Sequence, residues 1–168
     1  MKLEPDHDDI HAAARAGDTD EVAALLSMDN RLTGTFDADG WTPLHLAAHY
    51  GHGATVEILL HNNAPVDLRS RNQLANTALH AALAGQRAAE RAQVVRLLVD
   101  GGADVNATQH GGWAPIHQAA ANGDRETLEL LTNRGARTDV ANDTGVTPAA
   151  IARQRGHDAI AAWLEERR

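Results

Sequence analysis

Several kinds of residue are missing or scarce in this chain of 168 residues. It contains no cysteine, which excludes disulfides, thiolate metal sites and cysteine nucleophiles. Lys2 is the only lysine, so the Gly-Lys-Ser/Thr step of a phosphate-binding loop is absent. No apolar run reaches the roughly 18 residues that a membrane-spanning helix needs. Aromatic residues make up only 3%, and the apolar residues are mainly Ala, Leu and Val, which suits thin, closely spaced helices.

The charge balance of the chain is acidic, with a formal net charge of −8 at pH 7. This argues against nucleic acid as a partner, because such binding depends on neutralising phosphates. It favours a protein partner with a basic patch, since complementary charge speeds encounter. The first six residues are acidic and contain a proline, unlike a secretory signal peptide. We therefore expect a soluble, cytoplasmic protein that binds neither nucleic acid nor membrane.

A four-residue phrase recurs along the chain and is its strongest signal. Its copies are Thr42-Pro43-Leu44-His45, Thr77-Ala78-Leu79-His80, Ala114-Pro115-Ile116-His117 and the weaker Thr147-Pro148-Ala149-Ala150. The first residues of successive copies stand 35, 37 and 33 residues apart. A period near that length is the signature of a stacked repeat array.

The sequence around these phrases resembles the ankyrin repeat. The most specific segments are residues 40–52, Gly-Trp-Thr-Pro-Leu-His-Leu-Ala-Ala-His-Tyr-Gly-His, and residues 97–106, Leu-Leu-Val-Asp-Gly-Gly-Ala-Asp-Val-Asn. The resemblance extends over residues 8–168. It implies an all-α solenoid of paired antiparallel helices with β-hairpin-like turns, in which neighbouring repeats bury each other's apolar faces.

The period divides the chain into about five repeats, preceded by a flexible terminus at residues 1–7. We predict a single ankyrin-repeat domain over residues 8–168, with repeats at about 8–36, 37–71, 72–108, 109–141 and 142–168. The first repeat lacks the Thr-Pro step and the last has Ala150 in place of histidine, so both fit as caps. The third carries four extra residues within 85–93, which indicate either a longer helix or relaxed loop, or a protrusion that contacts a partner.

Turn residues mark the boundaries inside each repeat. Residues 37–40, Asp-Ala-Asp-Gly, are typical of a turn and lack the other ligands of a calcium loop. Asn63 stands where later repeats have Gly102 and Gly135, which predicts a left-handed helix cap. We assign Asn30 to the same place in the first repeat.

The ten histidines raise the question of a metal site. His45, His49 and His52 are spaced i, i+4 and i+7, and a zinc ion could use three such imidazoles with water as the fourth ligand. The resemblance implies instead that the histidine of each phrase binds backbone and ties neighbouring turns together, at His11, His45, His80 and His117. We therefore expect neither metal nor cofactor.

Two tryptophans hold equivalent places, Trp41 and Trp113, one residue before the phrase. In ankyrin repeats this position lines the concave surface that meets partners, together with the turn tip and the exposed face of the first helix. The predicted partner-binding residues are Arg15, Asp39, Trp41, His49, Tyr50, Leu74, Asn76, His110, Trp113, Asn122, Gln154 and Arg155. Trp and Tyr are enriched at binding hot spots. Alternatively, the two tryptophans only cover neighbouring turns. Trp163 falls on a second helix, where core or cap packing is expected.

The sequence thus favours a monomeric, non-enzymatic module that binds a partner protein through the concave face of turn tips and first helices. Two alternatives stay open. One is a histidine-based, metal-dependent enzyme or small-ligand binder. The other is a regulatory partner of a neighbouring gene product, such as an inhibitor, an antitoxin-like protein or a stress accessory protein. The short chain, rich in Ala and Arg, is typical of free-standing ankyrin proteins of bacterial type.

Overall fold

The computed structural model of this protein describes residues 7–167. Within them the chain forms ten α-helices and no β-strand, so the all-α prediction is confirmed. The helices are α1 (His7–Ala16), α2 (Thr19–Met28), α3 (Pro43–His49), α4 (Gly53–His61), α5 (Ala78–Ala84), α6 (Ala88–Asp100), α7 (Pro115–Asn122), α8 (Arg125–Asn133), α9 (Pro148–Gln154) and α10 (Asp158–Glu165). Each predicted repeat holds one helix pair. Of the terminus predicted to be flexible, all but His7 lies outside the described residues.

The chain divides into two compact units, one ending at Ala103 and the other beginning at Asp104. In the first unit, α1 packs on α3 and α3 on α5, while α2 packs on α4 and α4 on α6. In the second unit, α7 packs on α9, and α9 packs on α10. First helices thus stack on first helices within each unit. One continuous domain over residues 8–168 stays a prediction.

Polar caps set the starts of the helices. The Thr42 hydroxyl accepts the backbone N–H of His45 at 3.3 Å, and Pro43 occupies the first helical position of α3, where its missing N–H costs nothing. Two of the second helices, α2 and α8, use carboxylates instead. Asp18 accepts the N–H of Glu21, and Asp124 accepts that of Thr127. Each such cap is worth about 1 kcal/mol, and these aspartates are thereby explained as structural.

Small residues on the first helices make the stacking close. Ala47, Ala48, Ala81 and Ala82 are at most 3% exposed, and Ala119 and Ala120 play the same part in the second unit. Larger side chains on the second helices complete the core, among them Val56, Leu59, Val95, Leu98, Leu128 and Leu131. This explains why so few aromatic residues suffice.

The predicted left-handed cap at Asn63 is confirmed, with φ of 59°, beside φ of 94° at Gly102 and 90° at Gly135. The same assignment for Asn30 is wrong. Asn30 begins a short 3₁₀ helix (Asn30–Gly34), because Asp29 caps it by accepting the N–H of Arg31 at 2.9 Å.

The four extra residues of the third repeat lengthen a helix. Helix α6 has 13 residues, whereas α4 has 9. Arg91, in the added turn, donates to the carbonyl oxygen of Gly85 at 2.9 Å and holds the start of α6 against the end of α5. The longer-helix interpretation is therefore confirmed, and a partner contact at this turn stays a prediction.

Candidate partner-binding site

The phrase histidines are bound to backbone. The Nε2–H of His45 donates to the carbonyl oxygen of Asn76 at 2.9 Å, and its Nδ1 lies 2.8 Å from the Thr42 hydroxyl. His117 binds the carbonyl of Val146 in the same way at 3.1 Å, and His11 binds that of Thr35 at 3.2 Å. The predicted tie between neighbouring turns is confirmed at these three residues.

Burial changes the acidity of two of these histidines. Desolvation lowers the pKa of His45, although its hydrogen bond to Asn76 and the nearby Asp37 charge act in the opposite direction. Desolvation likewise lowers the pKa of His117, against opposing backbone hydrogen bonds. Both rings are therefore neutral near pH 7, with the hydrogen on Nε2, because only that tautomer donates to a carbonyl. They are structural hydrogen-bonding groups.

The three histidines considered for zinc do not form a metal centre. His45 is held by Asn76, His49 Nδ1 lies 3.3 Å from the carbonyl oxygen of Ala81, and His52 Nε2 lies 3.0 Å from that of Arg15. In the part of the chain that the structure describes, no three His, Asp or Glu side chains are placed to share a metal ion.

A cleft of about 270 Å³ opens on the first unit. Its lining residues are Arg15, Asp37, Asp39, Trp41, Leu46, His49 and Tyr50. Five of them are predicted partner-binding residues, contributed by the end of α1, the turn before α3, and α3 with its cap. They meet because α1 packs against α3. We call this the aromatic cleft. Asp37 and Leu46 were not predicted, because their positions indicated only a turn and a helix core.

Aromatic rings form one wall of the aromatic cleft. Trp41 meets the His49 ring edge-on at 5.1 Å between centroids, and His49 meets Tyr50 at 5.1 Å and 90°. Such edge-to-face contacts favour one arrangement of the rings. Tyr50 is nevertheless 40% exposed, and its hydroxyl has no hydrogen-bond partner among the side chains and backbone groups that the structure describes. The wall is thus ordered and still accessible.

Two carboxylates in the aromatic cleft have different surroundings. Asp37 binds Arg15 at 3.2 Å and also accepts the N–H groups of Asp39 and Trp41, at 3.0 and 2.8 Å. It therefore holds the turn in shape, and its charge is balanced. The Asp39 carboxylate is exposed and forms no hydrogen bond or ion pair with the described residues.

The other two predicted residues of the first unit differ in exposure. Leu74 is 49% exposed at the tip of the turn before α5. Asn76 is only 3% exposed, so its prediction as a partner contact is wrong. Its side-chain oxygen accepts the Ser70 hydroxyl at 2.6 Å, and its carbonyl accepts His45. Asn76 closes the turn and ties it to α3.

The remaining predicted residues lie on the second unit. His110 is exposed and Trp113 half-buried, in the turn before α7 that is closed by the Gln109 N–H donating to the Trp113 carbonyl at 2.9 Å. Asn122, half-buried at the end of α7, accepts the amide of Gln118 at 3.0 Å. Gln154 and Arg155 are exposed where α9 ends.

Trp113 does not repeat the arrangement around Trp41. It meets His117 edge-on at 5.4 Å, but Ala121 and Asn122 stand where the earlier repeat has His49 and Tyr50. Equivalent sequence positions therefore do not produce equivalent aromatic walls.

A second cleft, of about 440 Å³, lies past the C-terminal end of α8 and was not predicted. Polar residues line it, including Thr132, Asn133, Arg137, Thr138 and Asp139, and none of the predicted partner-binding residues does.

Trp163 is buried near this end of the chain, with 6% of it exposed. The guanidinium groups of Arg125 and Arg167 lie over its ring at 4.3 and 4.2 Å. The predicted core or cap packing of Trp163 is confirmed.

Comparison with known proteins gives consistent matches. The family model described as "Ankyrin repeats (3 copies)" matches residues 10–109, 55–140 and 86–167. Ankyrin repeat and SOCS box protein 16 of Mus musculus is 38% identical over 122 residues, covering 70% of this chain and 26% of that protein. The transient receptor potential cation channel subfamily A member 1 homolog of Caenorhabditis elegans is 32% identical over 157 residues, covering 93% and 12%.

A third relative is the probable 26S proteasome regulatory subunit p28 of Saccharomyces cerevisiae, which is 31% identical over 145 residues, covering 85% of this chain and 62% of that protein. The chain thus spans from about an eighth to under two thirds of these relatives. None of its described helices has the length and apolar character needed to cross a membrane. The matches confirm the resemblance seen in the sequence and the stack of helix pairs.

Proposed function

This chain belongs to the ankyrin-repeat family, and from that premise we propose that it binds a partner protein through the aromatic cleft. Ankyrin repeats are general protein–protein interaction modules. The finer assignment, to the cleft between the end of α1 and α3, rests on the residues of this chain that line it. We further propose that it acts as a monomer and without catalysis.

The observation that carries the proposal is the convergence of Arg15, Asp39, Trp41, His49 and Tyr50 in one cleft. Tyr, Trp and Arg are the residues most enriched at binding hot spots. Here they are held in place by an ion pair and by ring contacts, so little side-chain entropy is lost when a partner binds. We also propose further partner contacts from exposed Leu74 and from five residues of the second unit, His110, Trp113, Asn122, Gln154 and Arg155.

The proposal against catalysis rests on what the candidate groups already do. His45 and His117 are buried and bonded to backbone, and Asp18 and Asp124 cap helices. A general base must reach a substrate proton, and these groups are engaged elsewhere. Binding a partner protein does not require any of these four side chains to give up its present hydrogen bond.

Capture of cellular proteins on immobilised full-length chain tests the proposal. Tyr50→Ala removes an accessible ring from the cleft and should reduce capture of the specific partner about tenfold or more. Met28→Ala is the matched control, because Met28 is an exposed large apolar residue, 62% exposed, at the end of α2. Capture should be unchanged by Met28→Ala.

The proposal fails if wild type and Tyr50→Ala retain the partner equally, provided that the circular dichroism and melting temperature of the variant match those of the wild type. Partner binding would then use another surface. Cross-linking with mass spectrometry would identify that surface directly.

A further inference from the structure

The aromatic cleft carries a charge that nothing in the described chain balances. Arg15 and Asp37 pair with each other at 3.2 Å, so their charges offset. Asp39 lines the same cleft, and its carboxylate has no hydrogen-bond or ion-pair partner among the side chains that the structure describes. Arg71, whose backbone N–H donates to the Gly40 carbonyl oxygen at 2.8 Å, lies with its guanidinium over the Phe36 ring at 4.0 Å and is not among the residues that line the cleft. The cleft therefore presents one unbalanced carboxylate.

We propose that the aromatic cleft takes one cationic side chain, a lysine or an arginine, from the partner protein. This inference rests on the proposed partner-binding function of the same cleft and adds the chemistry of the group that enters it. The geometry offers that group a carboxylate at Asp39 and aromatic rings at Trp41 and Tyr50.

The aromatic rings of the cleft attract a cation, as the Asp39 carboxylate does. An ammonium or guanidinium group within about 6 Å of a Trp or Tyr face is attracted by the ring quadrupole, and Trp is the most effective. Lysine and arginine also carry aliphatic stems that pack on apolar surface while the charged head stays at the rim. The Trp41 and Tyr50 rings, in the lining of the cleft, provide such a surface.

The volume of the cleft is compatible with the entry of a single side chain. Pockets for small molecules typically enclose about 300–1,000 Å³, and this cleft has about 270 Å³. The first unit also holds most of the negative charge. Residues 1–103 contain fourteen Asp and Glu against eight Lys and Arg, while residues 104–168 contain nine against seven. A basic segment would therefore be attracted to the first unit before contact.

Other occupants fit less well. An anionic group would face the unpaired Asp39, and the only cation in the lining, Arg15, is already engaged by Asp37. A purely apolar side chain would desolvate the Asp39 carboxylate without giving it a partner, which is costly. A cation is the one class of side chain that uses both the carboxylate and the rings.

Nuclear magnetic resonance on the ¹⁵N-labelled full chain tests the proposal. The three tryptophans give three indole N–H signals, assigned with Trp→Phe variants, so Trp41 reports on the cleft while buried Trp163 serves as an internal reference. The probes are the N-acetyl methylamides of lysine, arginine, norleucine and glutamate. Norleucine has the same aliphatic stem as lysine without the charge.

The expected result is a saturable shift of the Trp41 signal with the lysine or arginine probe and none with the glutamate probe. Asp39→Asn should weaken binding of the cationic probe about threefold, the effect of one exposed charge pair. Glu57→Gln makes the same charge change at an exposed residue of α4 and should leave binding unchanged.

The proposal is overturned if the cationic probes leave the Trp41 signal unshifted, if norleucine binds as tightly as lysine, or if Asp39→Asn has no effect. Partner capture with Tyr50→Ala separates this outcome from failure of the proposed function. If Tyr50→Ala loses the partner while the probes fail, the cleft binds a partner by other chemistry. If Tyr50→Ala retains the partner, the proposed function itself is wrong.

Discussion

The Nε2–H of His45 donates a 2.9 Å hydrogen bond to the carbonyl oxygen of Asn76, a residue 31 positions further along the chain. Both residues are buried. The ring thus joins the start of α3 to the turn before α5, and its other nitrogen contacts the Thr42 hydroxyl that caps α3. One side chain therefore supports a helix start and the stacking of two repeats.

Replacing His45 with alanine should destabilise the protein by about 3 kcal/mol. The Asn76 carbonyl would be left buried without its donor, and a cavity would form beside Leu44 and Thr42. Urea unfolding monitored by circular dichroism measures the change. His110→Ala, at an exposed position, is the control and should change stability by less than about 0.5 kcal/mol. Equal stabilities of the two variants would contradict the structural role of His45.

Stability should fall as the pH drops below about 6.5. Burial lowers the pKa of His45 and His117 in the folded state, so the unfolded chain binds more protons in this range. Their contribution is fully present above the unfolded pKa and is lost as the pH falls through the folded pKa.

The free energy of unfolding should fall by up to about 1.4 kcal/mol per pH unit for each of these two histidines. His117→Gln should reduce the slope of the unfolding free energy against pH, between pH 7 and 5, by up to about 1.4 kcal/mol per pH unit, which corresponds to one proton. His110→Gln should leave the slope unchanged. A slope unaffected by His117→Gln would falsify the assignment.

Gly85→Ala should destabilise the first unit although the backbone angle there is ordinary, with φ of −64°. A methyl group at this position would collide with the backbone carbonyl oxygen of His49, which cannot rotate away. We expect a loss of about 1–3 kcal/mol from overpacking. Gly34→Ala is the matched control, because nothing lies within 4 Å of its added Cβ. Differential scanning calorimetry of both variants checks the difference, and similar melting temperatures would count against the close contact of Gly85 and α3.

At position 63, glycine should give a protein that is about 1 kcal/mol more stable to unfolding than the alanine variant. The φ of 59° at Asn63 lies in the left-handed region, where a Cβ is strained unless the side chain is Asn or Asp. Asn63→Gly should therefore match or slightly exceed the wild type in stability, while Asn63→Ala should fall below it. Asn62→Gly, at φ of −93°, should not be stabilising. The prediction fails if the alanine variant at position 63 is the most stable of the set in urea unfolding.

Much of the fold could be predicted because its signals are local. The Thr-Pro step marks the start of α3 and α9 wherever it occurs, and turn residues end the helices, so ten helices follow from a period of about 35 residues. Asn30 shows the limit of such reasoning. Its position in the repeat indicated a left-handed cap, but the neighbouring Asp29 offered a competing cap and the chain formed a 3₁₀ helix.

The aromatic cleft could be predicted only in part. Register identified Trp41, His49 and Tyr50 as candidates, since they surround one phrase. It also suggested Asn76, which the structure buries, because a turn residue can face inward as easily as outward. Which side chains of a turn reach the surface depends on how that turn folds back, and here Ser70 and His45 bind Asn76 on both sides.

The sequence by itself determined the repeat, its helix pairs and the class of role, because periodicity and capping are properties of nearby residues. Only the tertiary structure decided that Arg15 binds Asp37, 22 residues away, and that the Asp39 carboxylate in the same cleft has no partner among the described side chains. That pairing depends on α1 packing against α3. Contacts between helices and turns arise from packing, which a local sequence pattern does not specify. The contacts that form decide which charged side chains stay unpaired on the surface.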